Sequence, residues 1–219
     1  MKRILCVFFV LVSLSSVAYA VTIGHRYLIP ETDGQYTIEF PSYFLVLSKE
    51  MNDSDPAVTD FDVDPLEAME LMADGKIVVF AAAEDALNMS VFIERIDLHG
   101  DGFSAQDKSE EELESLADTY DEVYYETNTA AKPADQDDLG AVYTAERVNY
   151  VYWAYSWYDE GRPMFTEAFT LFEPDYMLHI TFDCDTSDKE KYDEAYDVIE
   201  YICDSVIREE TWSDAYDNL

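Results

Sequence analysis

The side chains best suited to binding a ligand are three aromatic residues that alternate along one predicted strand. Trp153, Tyr155 and Trp157 occupy every second position and therefore share one face of the strand. Rings on an exposed sheet face can stack on a sugar or on peptide side chains, while Asp159 and Glu160 nearby accept hydrogen bonds. If helices cover that face instead, the same rings belong to the core, and the sequence leaves both interpretations open.

Histidine is the usual general base near neutral pH, and the chain has three, at positions 25, 99 and 179. None has a second histidine four residues further on, which would make a zinc pair on a helix. His179 falls on the strand face opposite Leu178 and Ile180. A single histidine in a strand is more often structural than catalytic, so we expect a structural role for it.

Two acidic runs resemble the start of a calcium loop. The first, 60–64, has aspartates at alternate positions, but Pro65 and Leu71 stand where an EF-hand needs glycine and glutamate. The second, 97–102, has the glycine, but Lys108 stands at the twelfth position. Both runs lack residues that an EF-hand loop needs for its geometry, so we assign no metal site.

Nucleophilic and hydrolytic chemistry is not marked by any motif. The chain has no Gly-x-Ser-x-Gly elbow, and Asp183 and Asp185 beside Cys184 disfavour a thiolate at that position. Paired carboxylates could cleave glycosidic bonds, but 48 acidic residues make any pair chosen from sequence arbitrary. We therefore assign no catalytic residue and no cofactor, and an extracellular hydrolase stays as an alternative.

The charge of the chain excludes some classes of binding partner. It carries 48 acidic residues against 13 basic ones, a formal net charge of −35 at pH 7. Such a polyanion repels nucleic acid and anionic lipid, so we exclude both partner classes. The charge is typical of a solvated surface that keeps an exported protein soluble, and a cation-binding protein is a further alternative.

The first twenty residues are typical of a cleavable export signal. Lys2 and Arg3 precede an apolar run at 4–14, and Ala18 and Ala20 are the small residues that a signal peptidase recognises before the cleaved bond. The run of about 11 residues is shorter than the roughly 20 that a membrane span needs. Residue 21 is valine, not the cysteine of a lipid anchor. We expect a secreted or extracytoplasmic product, without lipid anchor or transmembrane span, whose net charge is −37 once Lys2 and Arg3 are removed.

Two cysteines remain after the predicted cleavage. Export would permit a disulfide between Cys184 and Cys203. Cys184 ends a predicted strand, however, and Cys203 lies about 22 Å along the predicted helix that follows, at 1.5 Å per residue. The Cα atoms of a disulfide lie within about 7 Å. We therefore expect two small, buried, unbonded residues.

Hydrophobic periodicity sets the elements that must position these groups. The patterns predict strands at 36–40, 43–47, 76–82, 89–96, 141–148, 150–158, 163–172 and 176–184, and helices at 65–72, 109–120 and 188–207. Ser109 with Glu112, and Ser187 with Glu190, are spaced as helix capping boxes. Short turns at 159–161 and 173–175 require the strands they join to be antiparallel.

The order of elements predicts an α+β fold, an antiparallel β-sheet packed by helices. We divide the chain into a signal peptide at 1–20, an irregular lead-in at 21–35, a single domain at 36–207 and an acidic tail at 208–219. The sequence shows no internal repeat and no linker to a second domain.

The opening strand Tyr36-x-Ile38-x-x-Pro41-x-Tyr43 and the last helix, ending in residues 203–207, resemble the PsbP/Mog1-like α/β/α sandwich group. The resemblance covers about 36–207 and rests on the order of elements. That group includes many secreted bacterial proteins, and it implies a non-enzymatic accessory or binding role with no catalytic residues. It points to an extracytoplasmic protein or polymer as partner. Within that role, Trp153, Tyr155 and Trp157 are the candidate ligand platform.

Overall fold

The computed structural model describes residues 24–33, 35–49, 72, 75–98, 103–127, 132–133, 141–145 and 148–209. The predicted export signal, the acidic run 60–64 and the tail beyond residue 209 lie outside the described residues, as does the predicted helix 65–72 apart from Met72. The glycine and histidine of the run 97–102 are also outside them. Within the described residues, no helix is both long and apolar enough to cross a membrane.

The described strands and helices follow one another in α+β order. The strands are β1 Gly24–Leu28, β2 Tyr36–Pro41, β3 Leu45–Ser48, β4 Ile77–Ala82, β5 Met89–Asp97, β6 Lys132–Pro133, β7 Ala141–Thr144, β8 Asn149–Asp159, β9 Arg162–Phe172, β10 Tyr176–Asp185 and β11 Ile207–Arg208. The helices are α1 Glu84–Leu87, α2 Glu110–Thr127 and α3 Lys189–Asp204, with a 3₁₀ turn at Ala105–Asp107.

Two antiparallel sheets account for all of the described strands. The larger has the order β3-β4-β5-β10-β9-β8-β6, and β7 also pairs with β8. The smaller has the order β1-β2-β11. The predicted antiparallel sheet packed by helices is therefore confirmed.

The long strands β8, β9 and β10 form the predicted meander. Glu160 and Gly161 connect β8 to β9 with φ angles of 46° and 91°. Two consecutive positive φ angles are typical of a type I′ hairpin turn, whose twist matches that of the flanking strands. Asp159 therefore pairs directly with Arg162. The turn thus sets the register of the hairpin that carries the aromatic residues.

The predicted lead-in and tail boundaries need correction. Gly24–Leu28 is not irregular, because it pairs along its whole length with β2. Arg208, assigned to the tail, pairs with Tyr36 in β11. Neither segment has strong apolar alternation of its own, and both are ordered by pairing with β2.

The last helix also differs from its prediction. Asp188, not Ser187, caps its start, because the Asp188 side chain accepts from the backbone N–H groups of Glu190 and Lys191. The helix ends at Asp204 rather than Ile207, since Ser205 turns the chain into β11. The other capping box is confirmed. The Ser109 hydroxyl accepts from the Glu112 N–H, and the Glu112 carboxylate accepts from the Ser109 N–H.

The main core lies between the large sheet, α3 and the small sheet. Alternate residues of β10 point into it and are fully buried, namely Leu178, Ile180, Phe182 and Cys184. The α3 residues that meet them are Ala195, Ile199, Ile202 and Cys203. Burying each large apolar side chain contributes about 1.5–3 kcal/mol.

The two cysteines share this core as free thiols, which confirms the prediction of buried, unbonded residues. Burial raises the pKa of Cys184 to about 12 and holds the pKa of Cys203 well above its usual value. Both therefore remain protonated and behave as small apolar side chains.

The opposite face of the large sheet is partly covered by α2. Leu113 and Ala117 of that helix pack on residues of β8 and β9, including Val151, Trp153 and Phe172. This second core does not reach the ends of β9 and β10 near the hairpin turn. A pocket occupies that end of the sheet instead.

A buried carboxylate joins the two sheets. Glu173, in the turn between β9 and β10, is 3% exposed. It accepts a hydrogen bond from the Tyr36 hydroxyl of β2 and pairs with Arg208 of β11, whose Nε lies 3.2 Å from Oε1. A buried charge is tolerated when it is paired and hydrogen-bonded, so this arrangement holds the small sheet against the large one.

We expect Arg208→Met to lower the free energy of unfolding by about 2 kcal/mol, because it leaves Glu173 buried without its counter-ion. The full cost of about 3–5 kcal/mol is reduced since the Arg208 side chain is 39% exposed. Urea unfolding followed by circular dichroism measures the change. Lys189→Met is the matched control, because it breaks only the exposed Lys189–Asp193 pair. Equal losses in the two variants would contradict a structural role for the Glu173 pair.

Candidate functional site

A pocket of about 460 Å³ opens at the hairpin end of the large sheet. We call it the hairpin-end pocket. Three elements meet there: the β8–β9 hairpin, the end of β10 and the turn into β5. Its lining residues are Asn88, Met89, Ser90, Trp157, Asp159, Arg162, Met164, Asp183 and Asp185. Its volume lies within the range of small-molecule sites, and its lining combines one aromatic ring with several polar and charged groups.

Strand alternation explains which side chains reach the pocket. Trp157 and Asp159 are two residues apart on β8, and Asp183 and Asp185 are two residues apart on β10. Residues two apart on a strand share a face. The pairing of Asp185 with Met164, and of Trp157 with the same Met164, brings the two pairs to one end of the sheet.

A chain of hydrogen bonds fixes one wall of the pocket. The Trp157 indole N–H donates to Thr166 Oγ1 at 2.9 Å, and the Thr166 hydroxyl donates to the Asp183 carboxylate. Thr166 is fully buried, so neither bond competes with water at that atom. The indole ring and the carboxylate are thus held in place before any ligand arrives.

The two β10 carboxylates have opposite electrostatic environments. Burial raises the pKa of Asp183, although the hydrogen bond from Thr166 partly offsets this. Hydrogen bonds from the hydroxyl and backbone N–H of Ser187 lower the pKa of Asp185, and the N–H···Oδ1 distance is 2.8 Å. One carboxylate is therefore desolvated and the other is well solvated, within a single pocket.

The opposite wall begins at Asn88, between α1 and β5. Its φ angle is 50°, in the left-handed region that asparagine tolerates better than most residues. Its backbone carbonyl accepts from the Asp185 N–H at 3.1 Å, and its side-chain oxygen accepts from Lys191 Nζ at 3.2 Å. Asn88 therefore ties this wall both to β10 and to α3.

The rim carries one ion pair. Asp159 and Arg162 flank the type I′ turn, and their side chains form a salt bridge. Both are substantially exposed, so the pair contributes little to stability. Arg162 also attracts Asp185, so its charge acts on the pocket as well as on Asp159.

The structure separates the three residues of the predicted ligand platform. Trp153 is 6% exposed and its ring stacks on His179 at 5.1 Å, so it cannot stack on a ligand. Tyr155 is half-buried and packs against the second core. Only Trp157 of the three lines the hairpin-end pocket. Sequence reasoning missed its partners Asp183 and Asp185, whose signal is their alternation with buried Phe182 and Cys184.

The histidines do not form a catalytic centre in the described residues. His179 lies between the Trp153 ring and Thr170, whose Oγ1 is 2.8 Å from His179 Nδ1. Burial lowers its pKa to about 4, so it is neutral at pH 7. His25 is exposed on β1, and His99 lies outside the described residues. His179 therefore has the structural environment that we expected for it.

A larger depression of about 580 Å³ follows the start of α2, lined by Phe103, Lys108, Glu111, Glu112, Ser115 and Leu116. Lys108 and Glu112 pair there, and Glu112 is already engaged in the capping box. Its polar groups thus serve the helix start, and we place the candidate site in the hairpin-end pocket. Across the described ranges, no group of three or more His, Cys, Asp or Glu side chains could hold a metal ion.

No protein-family model matches the chain, and no curated protein matches it. Among solved structures, it is similar to a protein from Bacteroides thetaiotaomicron, with a TM-score of 0.45 and 9% identity over 85% of this chain. The chain spans about half of that protein, covering 49% of it.

Two further solved structures are similar to the chain. The Ran-binding protein Mog1p of Saccharomyces cerevisiae has a TM-score of 0.44 and 12% identity, covering 84% of this chain and 95% of its own. Cyanobacterial PsbP (CyanoP) from Synechocystis has a TM-score of 0.38 and 10% identity, covering 88% and 96%.

We expect His179 to make stability depend on pH. Its pKa in the folded protein is about 4, below the usual 6.5, so the unfolded chain binds a proton first as pH falls. The contribution of His179 is complete above about pH 6.5 and is lost as pH falls towards 4, by about 3 kcal/mol in all. Urea unfolding between pH 4 and 7 should show this slope in wild type and in the exposed control His25→Gln, but a reduced slope in His179→Gln. A slope unchanged by His179→Gln would contradict it.

The two pocket carboxylates should respond in opposite directions to neutralisation. Asp183→Asn is expected to raise the free energy of unfolding at pH 7, because it removes a desolvated charge while its amide oxygen can still accept from Thr166. Asp185→Asn is expected to lower it, since it removes a charge that Ser187 stabilises. The difference for Asp183 should shrink at pH 3, because its raised pKa favours protonation there, whereas the difference for Asp185 should persist to lower pH because its pKa is lowered. Denaturant unfolding at pH 3 and 7 tests this, and shifts of equal sign at pH 7 would contradict it.

Proposed function

We propose that the chain is an exported, non-catalytic binding domain that takes its ligand in the hairpin-end pocket. The observation that carries the proposal is the fixed wall formed by Trp157, Thr166 and Asp183. An aromatic ring and a carboxylate held in place without a ligand lower the ordering cost of binding. The ligand belongs to an extracytoplasmic protein or polymer.

Export is supported by the sequence. The charged start, the short apolar run and the small residues before Val21 match a cleavable signal. The high negative charge suits a soluble product outside the cytoplasm. Secretory expression followed by intact-mass measurement should give a chain beginning at Val21, and retention of residues 1–20 would contradict this part of the proposal.

A non-catalytic role is favoured over hydrolysis by the direction of the hydrogen bonds. Two carboxylates with pKa values shifted apart are the pattern of an acid–base pair. The Thr166 oxygen, however, accepts the indole proton of Trp157 and so directs its own proton at Asp183. That geometry favours Asp183 as an acceptor rather than as a proton donor. An extracellular hydrolase remains the second candidate.

A thermal-shift screen of the mature chain tests binding in the pocket. The ligand classes are neutral oligosaccharides, dicarboxylates, and amines or guanidines, each free and within short peptides. At least one class should raise the unfolding midpoint, because a ligand that binds only the folded state stabilises it. We expect Trp157→Ala to abolish the rise, and Tyr158→Ala to leave it unchanged.

Tyr158 is the matched control because it is the adjacent aromatic residue, is 74% exposed and faces away from the pocket. A rise that survives Trp157→Ala would place the ligand elsewhere, and no rise with any class would contradict the proposal. Turnover of chromogenic glycosides or peptides by the wild type, lost in Asp183→Asn, would favour the hydrolase.

A further inference from the structure

We propose that the hairpin-end pocket binds an organic cation, an ammonium or guanidinium group, between Asp183 and Asp185 and against Trp157. The inference rests on the proposed function and names the chemical class of the ligand. It follows from the charges of the pocket, from their spacing and from the aromatic wall.

The pocket lacks a counter-charge for Asp183. Asp159 and Arg162 of the lining neutralise one another. Among the described residues, none of the ion pairs includes Asp183 or Asp185. Arg162 also attracts Asp185, whereas Asp183, which is largely removed from water, has no salt bridge among the described residues. A carboxylate in the position of Asp183 is normally paired, and a cationic ligand would supply the pair.

The spacing of the two β10 carboxylates suits a single cationic head group. Asp183 and Asp185 are two residues apart on one face of β10, so their Cβ atoms lie about 7 Å apart. An ammonium group has three donors and a guanidinium has five, and each charge-assisted bond spans about 2.8 Å. One cationic head group can therefore reach both carboxylates. A neutral sugar could accept the same geometry but would leave the charge of Asp183 uncompensated.

The lining of the pocket favours an organic cation over a metal ion. Calcium requires six to eight oxygen ligands, whereas only Asp183 and Asp185 of the lining carboxylates lie outside a salt bridge, and no group of three or more His, Cys, Asp or Glu side chains among the described residues could hold a metal ion. An indole ring attracts organic cations through its π-face and provides no ligand for a hard metal. The pocket volume of about 460 Å³ also accommodates an alkyl stem behind the head group.

Neighbouring basic groups leave the site open to such a ligand. Arg162 is held by Asp159 at the rim, and Lys191 donates to the Asn88 side chain behind the wall. Among the described residues, no salt bridge joins either of them to Asp183 or Asp185, although the charge of Arg162 attracts Asp185. Their own charges reduce the attraction of the pocket, but the chain as a whole carries a net charge of −35 and favours the approach of cations.

Calorimetric titration of the mature chain tests the class with three probes. Nα-acetyl-lysine amide and n-butylammonium carry the same charged head, and Nα-acetyl-norleucine amide keeps the aliphatic stem without the charge. Both cations should bind and the norleucine probe should not. Tighter binding of the acetyl-lysine amide would identify a peptide side chain as the source, and equal binding would identify a free amine.

Variants locate the binding. Asp183→Asn and Asp185→Asn should each weaken cation binding about tenfold or more, because each removes a charge-assisted hydrogen bond. Trp157→Phe should weaken it less, since a smaller ring remains. Asp175→Asn is the control: it removes an exposed charge at the other end of β10 and should leave the affinity unchanged. Circular dichroism and the unfolding midpoint establish that each variant is folded.

The outcomes separate this inference from the proposed function. If neither cation binds but another class in the thermal-shift screen does so in a Trp157-dependent manner, the cation assignment is overturned and the binding role stands. If Asp175→Asn weakens the cations as much as Asp183→Asn, the attraction is a general surface effect and the assignment is also overturned. If no class binds, both proposals are contradicted.

Discussion

Strand β10 is hydrogen-bonded along both edges, to β5 on one side and to β9 on the other, and its side chains alternate between two surroundings. Leu178, Ile180 and Phe182 are fully buried in the main core. Shifting the register by one residue would expose them and bury acidic residues instead, so the pairing has one favourable solution. The same solution places Asp183 and Asp185 on the opposite face.

The pocket inherits its geometry from that constraint. The β8–β9 hairpin is fixed by the type I′ turn at Glu160 and Gly161, and its pairing with β10 brings Thr166 beside Asp183. Thr166 then connects the carboxylate to the Trp157 indole. Desolvation of Asp183 opposes folding, while the apolar residues on the other face of the strand favour it. The core thus supports an acidic side chain in an unfavourable position, as is common at functional sites.

Local pattern was enough to predict the elements that carry strong signals of their own. The meander β8–β10 followed from apolar runs joined by tight turns, and Ser109 was identified as a cap from its spacing to Glu112. Strand β1 was missed because His25 and Arg26 are exposed and its order comes from pairing with β2. The cap of α3 was misplaced by one residue, since Ser187 and Asp188 both have suitable side-chain acceptors and only geometry chooses between them.

The site depends on contacts that a local pattern does not contain. Trp157 could be placed on a strand face, but its neighbours come from the next two strands and from the distant turn into β5, and two aspartates do not stand out among 48 acidic residues. In the sequence, Asp183 and Asp185 were notable only as residues that suppress a thiolate at Cys184. The fold turns the Cys184 side chain into the core and the two carboxylates to the opposite face. The residues around Cys184 therefore belong to two surfaces that the fold separates, a buried apolar one and an acidic one. The acidic surface is the one that lines the hairpin-end pocket.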